Sequence, residues 1–243
     1  MLANESEIQR SYEGLEVAKE YVDKRFSSEL MRLLYERQVE AANRILTATS
    51  TNHALEIAPG PGRITRKICM PGNLVCLEFN EGMIQEGKAA CSPHIGWIRG
   101  NAFDLPFGEQ FDFVYTYRFI RHFHLEDRTR LYAQIHRVLR PGGILLFDAV
   151  NEKISKPLRD ANPEAYPIYD KLYSSEQELA EEMKASGFEV IEINPVQRWF
   201  NLQYRVQILL GPRSSKLCTL AIRTLERLRR GPALEWIVKC RRV

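Results

Sequence analysis

No apolar run in this chain reaches membrane-spanning length, and Met1-Leu2-Ala3-Asn4-Glu5 lacks the charge and apolar pattern of a secretion signal. The expected setting is therefore the cytoplasm. Cysteine is sparse: Cys69, Cys76, Cys91, Cys218 and Cys240 lie far apart with no C-x-x-C pair. That set reads as free thiols, not as disulfides or a zinc site. Internal repeats and low-complexity stretches are missing. No basic patch on the core is interleaved with stacking aromatics, so nucleic acid is not an expected partner. His122 and His124 form an H-x-H pair with no third ligand nearby, so no metal is expected.

What is present is a chain of 243 residues, enough for one α/β domain with a sizeable core. Its net charge of +3 conceals an asymmetry, because Gly211 to Val243 hold nine Lys/Arg against two Asp/Glu. A loose helix is expected within Glu7 to Phe26, and a stronger one from Glu29 to Thr47 behind Ser28 as N-cap. Strands and helices then alternate. Strands are expected at Ala54–Ala58, Leu74–Phe79, Gly96–Arg99, Phe111–Thr116, Ile144–Ala149, Phe188–Ile193 and Leu234–Cys240. Helices are expected from Arg63, after Asn80, from Glu126 to Leu139, after the capping box at Ser175, and from Ser215 to Arg229. Asn151 to Tyr173 reads as the longest irregular piece. Such alternation implies a parallel sheet with helices on both faces, and a ligand beyond the C-terminal strand ends.

Three places at those ends carry the functional reading. The first is Ala58-Pro59-Gly60-Pro61-Gly62-Arg63, where glycine lets a ligand press on bare backbone and a following helix would offer N–H groups to an anion. The second is Glu78, eighteen residues after Gly60, which can accept both hydroxyls of a ribose. The third is Gly100-Asn101-Ala102-Phe103, able to meet an adenine edge and face. A dinucleotide site asks for G-x-G-x-x-G, but Thr65 occupies the third glycine position, and Glu56 inside the first strand would repel a pyrophosphate.

Leu55 to Arg63 resembles motif I of the class I S-adenosylmethionine-dependent methyltransferases, in the branch of the ubiquinone/menaquinone-biosynthesis C-methyltransferases. Val75 to Ile84, Gly100 to Phe107, Phe111 to Val114 and Arg137 to Gly143 resemble further motifs in order. The resemblance implies a Rossmann-like, doubly wound, mostly parallel seven-stranded sheet. Residues 1–50 would form an N-terminal helical lid and 51–243 the cofactor-binding domain, as a single domain overall. It implies S-adenosylmethionine as cofactor. The Glu56 side chain and the Gly60 backbone would hold the methionine moiety, with Pro59 and Gly62 also among the cofactor-binding residues. Glu78 would take the ribose, Phe79 and Met83 would flank the adenine, and Asn101 and Ala102 would read its edge. Tyr117 would close over the cofactor, and Tyr21 in the lid would meet the carboxylate end. Ala58 stands where the family's first glycine is usual, and Asn101 where an Asp is usual.

Methyl transfer is an in-line displacement in which the sulfonium supplies the reactivity and the protein supplies orientation and a dry site. A neutral acceptor also needs a base, and His122 is the first candidate, with a hydrogen-bonding spacer as the plainer reading. Glu56 could instead pair with Arg63 or Lys67, and Glu78 could be a strand-end surface acid. Trp199, Phe200 and Tyr204 either line a pocket or cover the sheet. The helix from Ser215 could meet a membrane surface through its basic residues, but a packed helix with that face in water is the stronger expectation. The acceptor is expected to be a small or lipid-like molecule. The alternatives are a nicotinamide-dependent oxidoreductase, disfavoured by Glu56 and Thr65, and a cofactor-binding module without catalysis.

Overall fold

The computed structural model describes residues 28–48, 51–70, 72–228 and 230–243. Their elements run α1 Glu29–Ala48, β1 His53–Ile57, β2 Asn73–Glu78, α2 Glu81–Ala90, β3 Gly96–Arg99, β4 Phe111–Thr116, α3 Leu125–Val138 and β5 Leu139–Asn151. They continue as α4 Glu152–Ala161, β6 Leu172–Tyr173, α5 Glu176–Ala185, β7 Phe188–Arg198, α6 Phe200–Leu210, α7 Ser215–Arg227 and β8 Ala233–Arg242. The expected loose helix over Glu7 to Phe26, most of the lid, and Tyr21 lie outside the described residues.

The strands form one sheet in the order β3-β2-β1-β4-β5-β8-β7, with β6 pairing β5 as an eighth strand beyond the seven expected. Pairings from β3 to β5, and β5 with β6, are parallel. β8 is antiparallel to both β5 and β7, so β7 runs in the same direction as β1. Leu55, Ile57, Val114, Leu145 and Phe147 are fully buried, as strands covered on both faces require. α3 and α5 cover one face through Leu131, Ile135, Leu179 and Met183. α1 covers the other through Leu34, Ala42 and Ile45. The sequence's start signals hold, since Asn80 and Ser175 accept from the N–H groups of Met83 and Glu178.

Three expectations are corrected. The helix expected from Arg63 is only a short 3-10 turn, Thr65–Lys67, whose chain returns to extended backbone at Ile68. Few residues separate Pro61 from β2, which begins at Asn73, too few for a helix to repay its nucleation. The stretch from Asn151 contains α4, which Asn151 caps by accepting from the Lys153 N–H, and Pro157 inside it hid the helical pattern. β7 extends past Ile193 to Arg198 and leads into α6, where no helix was expected. Pro195 is tolerated within β7 because that strand is the sheet edge.

Candidate active site

β1 ends in a turn that the residue types dictate. Gly60 and Gly62 take φ of +58° and +72°, a region glycine enters freely. Ala58 sits at φ +53°, which costs an alanine about 1 kcal/mol that a glycine there would not incur. The two glycines have different work. A Cβ on Gly60 would meet nothing within 4 Å, because that side opens into a cavity. A Cβ on Gly62 would lie 2.5 Å from Cys91 Sγ, so Gly62 serves packing against the end of α2 and does not line the cavity.

Glu56, one residue before the end of β1, is 3 % exposed. Its Oε2 accepts from the Thr65 hydroxyl at 2.6 Å and the Tyr115 hydroxyl at 2.7 Å. Oε1 accepts no hydrogen bond among the described residues, and Glu56 lines the cavity. Burial pushes the carboxyl up to about 7, against the opposing pull of the two hydroxyls and Arg63. Neither reading of Glu56 as an ion-pair partner is met: the Arg63 guanidinium donates to Gln38 Oε1 at 2.8 Å and lies over the Tyr35 ring. Thr65, which disqualified a dinucleotide motif, is the residue that orients this acid.

Glu78 closes β2 at 8 % exposed and is no surface acid. Its Oε2 accepts from the Gly60 N–H at 3.0 Å, and its Oε1 from the N–H groups of Phe79 and Asn80. Burial raises its pKa and these three backbone bonds pull the other way. The Gly60 N–H is thereby committed to Glu78, so it is not available to the methionine end as the resemblance implied. Asn101 is likewise drawn into its own loop, its Oδ1 accepting from the Phe103 N–H at 2.9 Å. Pro59, Phe79, Met83, Asn101 and Ala102 all line the same cavity as Glu56 and Glu78.

Tyr117 forms another wall, with its hydroxyl donating to the Gln38 carbonyl at 2.9 Å, so it fastens α1 to the site. Beyond it Phe119, His122 and Phe123 complete the lining. His122 Nδ1 lies 2.7 Å from Asp170 Oδ1 and 3.1 Å from the Tyr169 carbonyl. Burial opposes charge on Asp170, but Arg121 and His122 outweigh it and hold the carboxyl well below the usual carboxylate range. Nε2 of His122 makes no hydrogen bond among the described residues. His124 stacks on Tyr169, and no group of metal-binding side chains occurs among the described residues.

Gln38, Asp148 and Asp170 escaped the sequence reading, since each meets the site across at least 25 residues of chain and belongs to no local motif. Trp199, Phe200 and Tyr204 do not line the cavity. Phe200 packs on Leu30, Leu33, Cys218 and Ile222, and Tyr204 stacks on Phe200 at its outer side.

A family model described as "Methyltransferase domain" matches residues 55–147, from β1 into β5. The chain is 27 % identical over 184 residues to an O-methyltransferase of Aspergillus sclerotiorum, covering 70 % of this chain and 67 % of that protein. It is 32 % identical over 125 residues to the ubiquinone/menaquinone biosynthesis C-methyltransferase of Hahella chejuensis, covering 47 % of this chain and 48 % of that one. The match thus spans about half the length of that relative. The fold resembles magnesium protoporphyrin IX methyltransferase of Synechocystis, solved with S-adenosylhomocysteine, at a TM-score of 0.66 and 10 % identity, covering 98 % of this chain and all of that one.

Proposed function

We propose that the chain is a class I S-adenosylmethionine-dependent methyltransferase, with S-adenosylmethionine as cofactor, and that it methylates a small, lipid-like acceptor in the cavity at the strand ends. One observation carries the reading: two buried carboxylates, Glu56 and Glu78, line one cavity, and neither forms an ion pair among the described residues. A ligand with a cationic end and a ribose satisfies both. The open Oε1 of Glu56 takes the ammonium of the methionine part, and Glu78 accepts from the ribose hydroxyls with its remaining lone pairs. Phe79, Met83 and Ala102 enclose the adenine. A pyrophosphate would face Glu56 without a helix N-terminus behind the turn, which argues against a dinucleotide.

The bound cofactor supplies an electrophilic methyl group, and this chain's residues orient the acceptor and exclude water. Phe119 and Phe123 give that side of the cavity an apolar lining that suits a lipid-like acceptor. The curated relatives named for quinone and O-methyl transfer lend support to this class. The Tyr169 carbonyl, hydrogen-bonded to His122 Nδ1, and the Asp170 carboxylate beside it orient the ring so that Nε2 is left to take a proton from the acceptor. Changing His122 to Asn is expected to leave cofactor affinity unchanged and to lower kcat by about 100-fold, the range of a lost general base. Equal turnover by the variant would reduce His122 to a spacer.

The test of the cofactor reading is its pH dependence. A cationic end requires ionised Glu56, whose carboxyl titrates near 7 in the free protein. Below that pH binding must release a proton, so affinity should fall by up to about tenfold per unit. Above it the dependence through Glu56 should level off. Stability runs the opposite way: a carboxyl raised from 4.5 favours the folded state less as pH climbs through that interval. Calorimetry with S-adenosylmethionine between pH 5.5 and 8.5 (roughly one and a half units either side of 7) should show this slope in the unaltered chain and not in Glu56→Gln. The same flat profile in both proteins would remove Glu56 from the site.

A further inference from the structure

The basic C-terminal helix was expected to pack on the body and keep its charges in water. α7 does pack, through Cys218 and Ile222 against Leu30 and Leu33 of α1. Its fit is reinforced by buried Glu226, which accepts from the N–H groups of Gln197 and Arg198 and from the Gln203 side chain. The hairpin of α6 and α7 is therefore firmly anchored, yet it presents a second apolar surface outward. Leu202, Ile208 and Leu209 on α6 and Leu217, Leu220 and Leu228 at α7 are 45 % to 63 % exposed. An outward face this apolar on two successive helices exceeds the scattered exposed leucines of an ordinary surface.

Charge selects the occupant. From Trp199 to Arg230 the sequence holds seven Lys/Arg and one acid, Glu226, which is buried. Arg223 pairs with Glu36 of α1. Exposed Arg205, Lys216 and Arg227 form no ion pair among the described residues. At helical spacing Lys216 and Arg227 flank Leu220 on the outward side of α7. Large apolar side chains bordered by unanswered cations match the boundary between acyl chains and anionic headgroups. A second copy of this chain would bring the same positive charge against itself. The position also fits delivery of an acceptor: β7 ends at the same edge of the sheet as β1, so α6 starts at the cavity end, and α1 touches both the hairpin and, through Gln38, the cavity wall.

We propose that the outward face of the α6–α7 hairpin docks this protein on an anionic lipid bilayer. It lies at the interface and does not span it; no helix among the described residues is long and apolar enough to cross a membrane. The proposal extends the lipid-like acceptor reading, but it is tested without any turnover.

The purified chain is sedimented with phosphatidylcholine vesicles, with and without phosphatidylserine, at low and raised salt. Binding is expected on the anionic vesicles, weakening with salt, and at least about tenfold weaker without phosphatidylserine. Leu217→Ser with Leu220→Ser, and separately Lys216→Glu with Arg227→Glu, should each cut binding by about tenfold or more, while S-adenosylmethionine affinity stays unchanged and reports an intact fold. Absence of vesicle binding by the unaltered chain overturns the proposal. So does equal binding by both double variants. A concentration-dependent dimer that the two serine substitutions convert to monomer overturns it as well, by assigning the face to a second copy. Loss of cofactor binding to the unaltered chain would instead sink the methyltransferase reading and leave the vesicle result standing.

Discussion

Glu78→Ala is expected to weaken S-adenosylmethionine binding by about 100-fold or more, measured as the calorimetric dissociation constant. Two ribose hydroxyls donating to a buried carboxylate are charge-assisted hydrogen bonds, worth about 1.5–3 kcal/mol each. Their joint loss corresponds to two decades or more at about 1.4 kcal/mol per decade. The same carboxylate holds the N–H groups of Gly60, Phe79 and Asn80, so alanine also loosens the turn that carries Pro59. Glu78→Gln separates the two effects. The amide keeps an oxygen for part of the backbone set but loses the charge and turns donors toward the ribose, so its affinity should fall between the unaltered chain and the alanine variant. Unfolding temperature should change little in Glu78→Gln, because β2 is held by its parallel ladders to β1 and β3. Alanine-variant binding as tight as that of the unaltered chain would mean that Glu78 does not hold the cofactor.

The legible parts of this chain were those written in a few consecutive residues. Ala54–Ala58 and Phe111–Thr116 are apolar runs bounded by turn residues, and the sheet places both at its buried centre. Glu56 and Glu78 stood out because an acid inside or ending an apolar strand has no packing reason to be there. What escaped has identifiable causes. α6 is apolar nearly all round, with Phe200, Leu202, Val206, Ile208, Leu209 and Leu210 showing no clear face, so periodicity could not announce it. α4 carried a proline that reads as a breaker. The roles of Gly60 and Gly62 could not be divided from sequence, since one faces empty space and the other a cysteine at the end of α2. Asp170 lies 48 residues after His122 and reaches it only because the chain after α4 folds back beneath the turn following β4.

That fold-back rests on a buried charge cluster, and Arg121→Met is expected to be the most destabilising single change outside the apolar core. Arg121 is 4 % exposed, with its guanidinium 3.4 Å from Asp148, 3.2 Å from Asp170 and 3.2 Å from Glu235. Burial alone would disfavour its charge, but these three carboxylates reverse that and hold its pKa above the ordinary value. Arg118 and Arg159 add further contacts to Glu235 and Asp170. Methionine fills much of the space and removes the cation, leaving buried carboxylates from β5, β8 and the segment before β6 with too little positive charge. Breaking a buried ion pair by deleting one partner costs about 3–5 kcal/mol. For a domain of this size that corresponds to a fall in unfolding temperature of about 10 °C. The deficit should be largest near neutral pH and shrink as the solution is acidified, because Asp170, whose carboxyl Arg121 helps hold below the usual range, can then regain neutrality by binding a proton. Asp170 is in that cluster and lies against His122, so turnover below the melting transition should fall further than cofactor affinity, which the proposed function assigns to Glu56 and Glu78. Arg121→Lys keeps the charge but not the three-way reach, and should recover part of the stability. A loss below about 1 kcal/mol in Arg121→Met would show that the cluster is screened like a surface pair, and the ordering of His122 would then need another source.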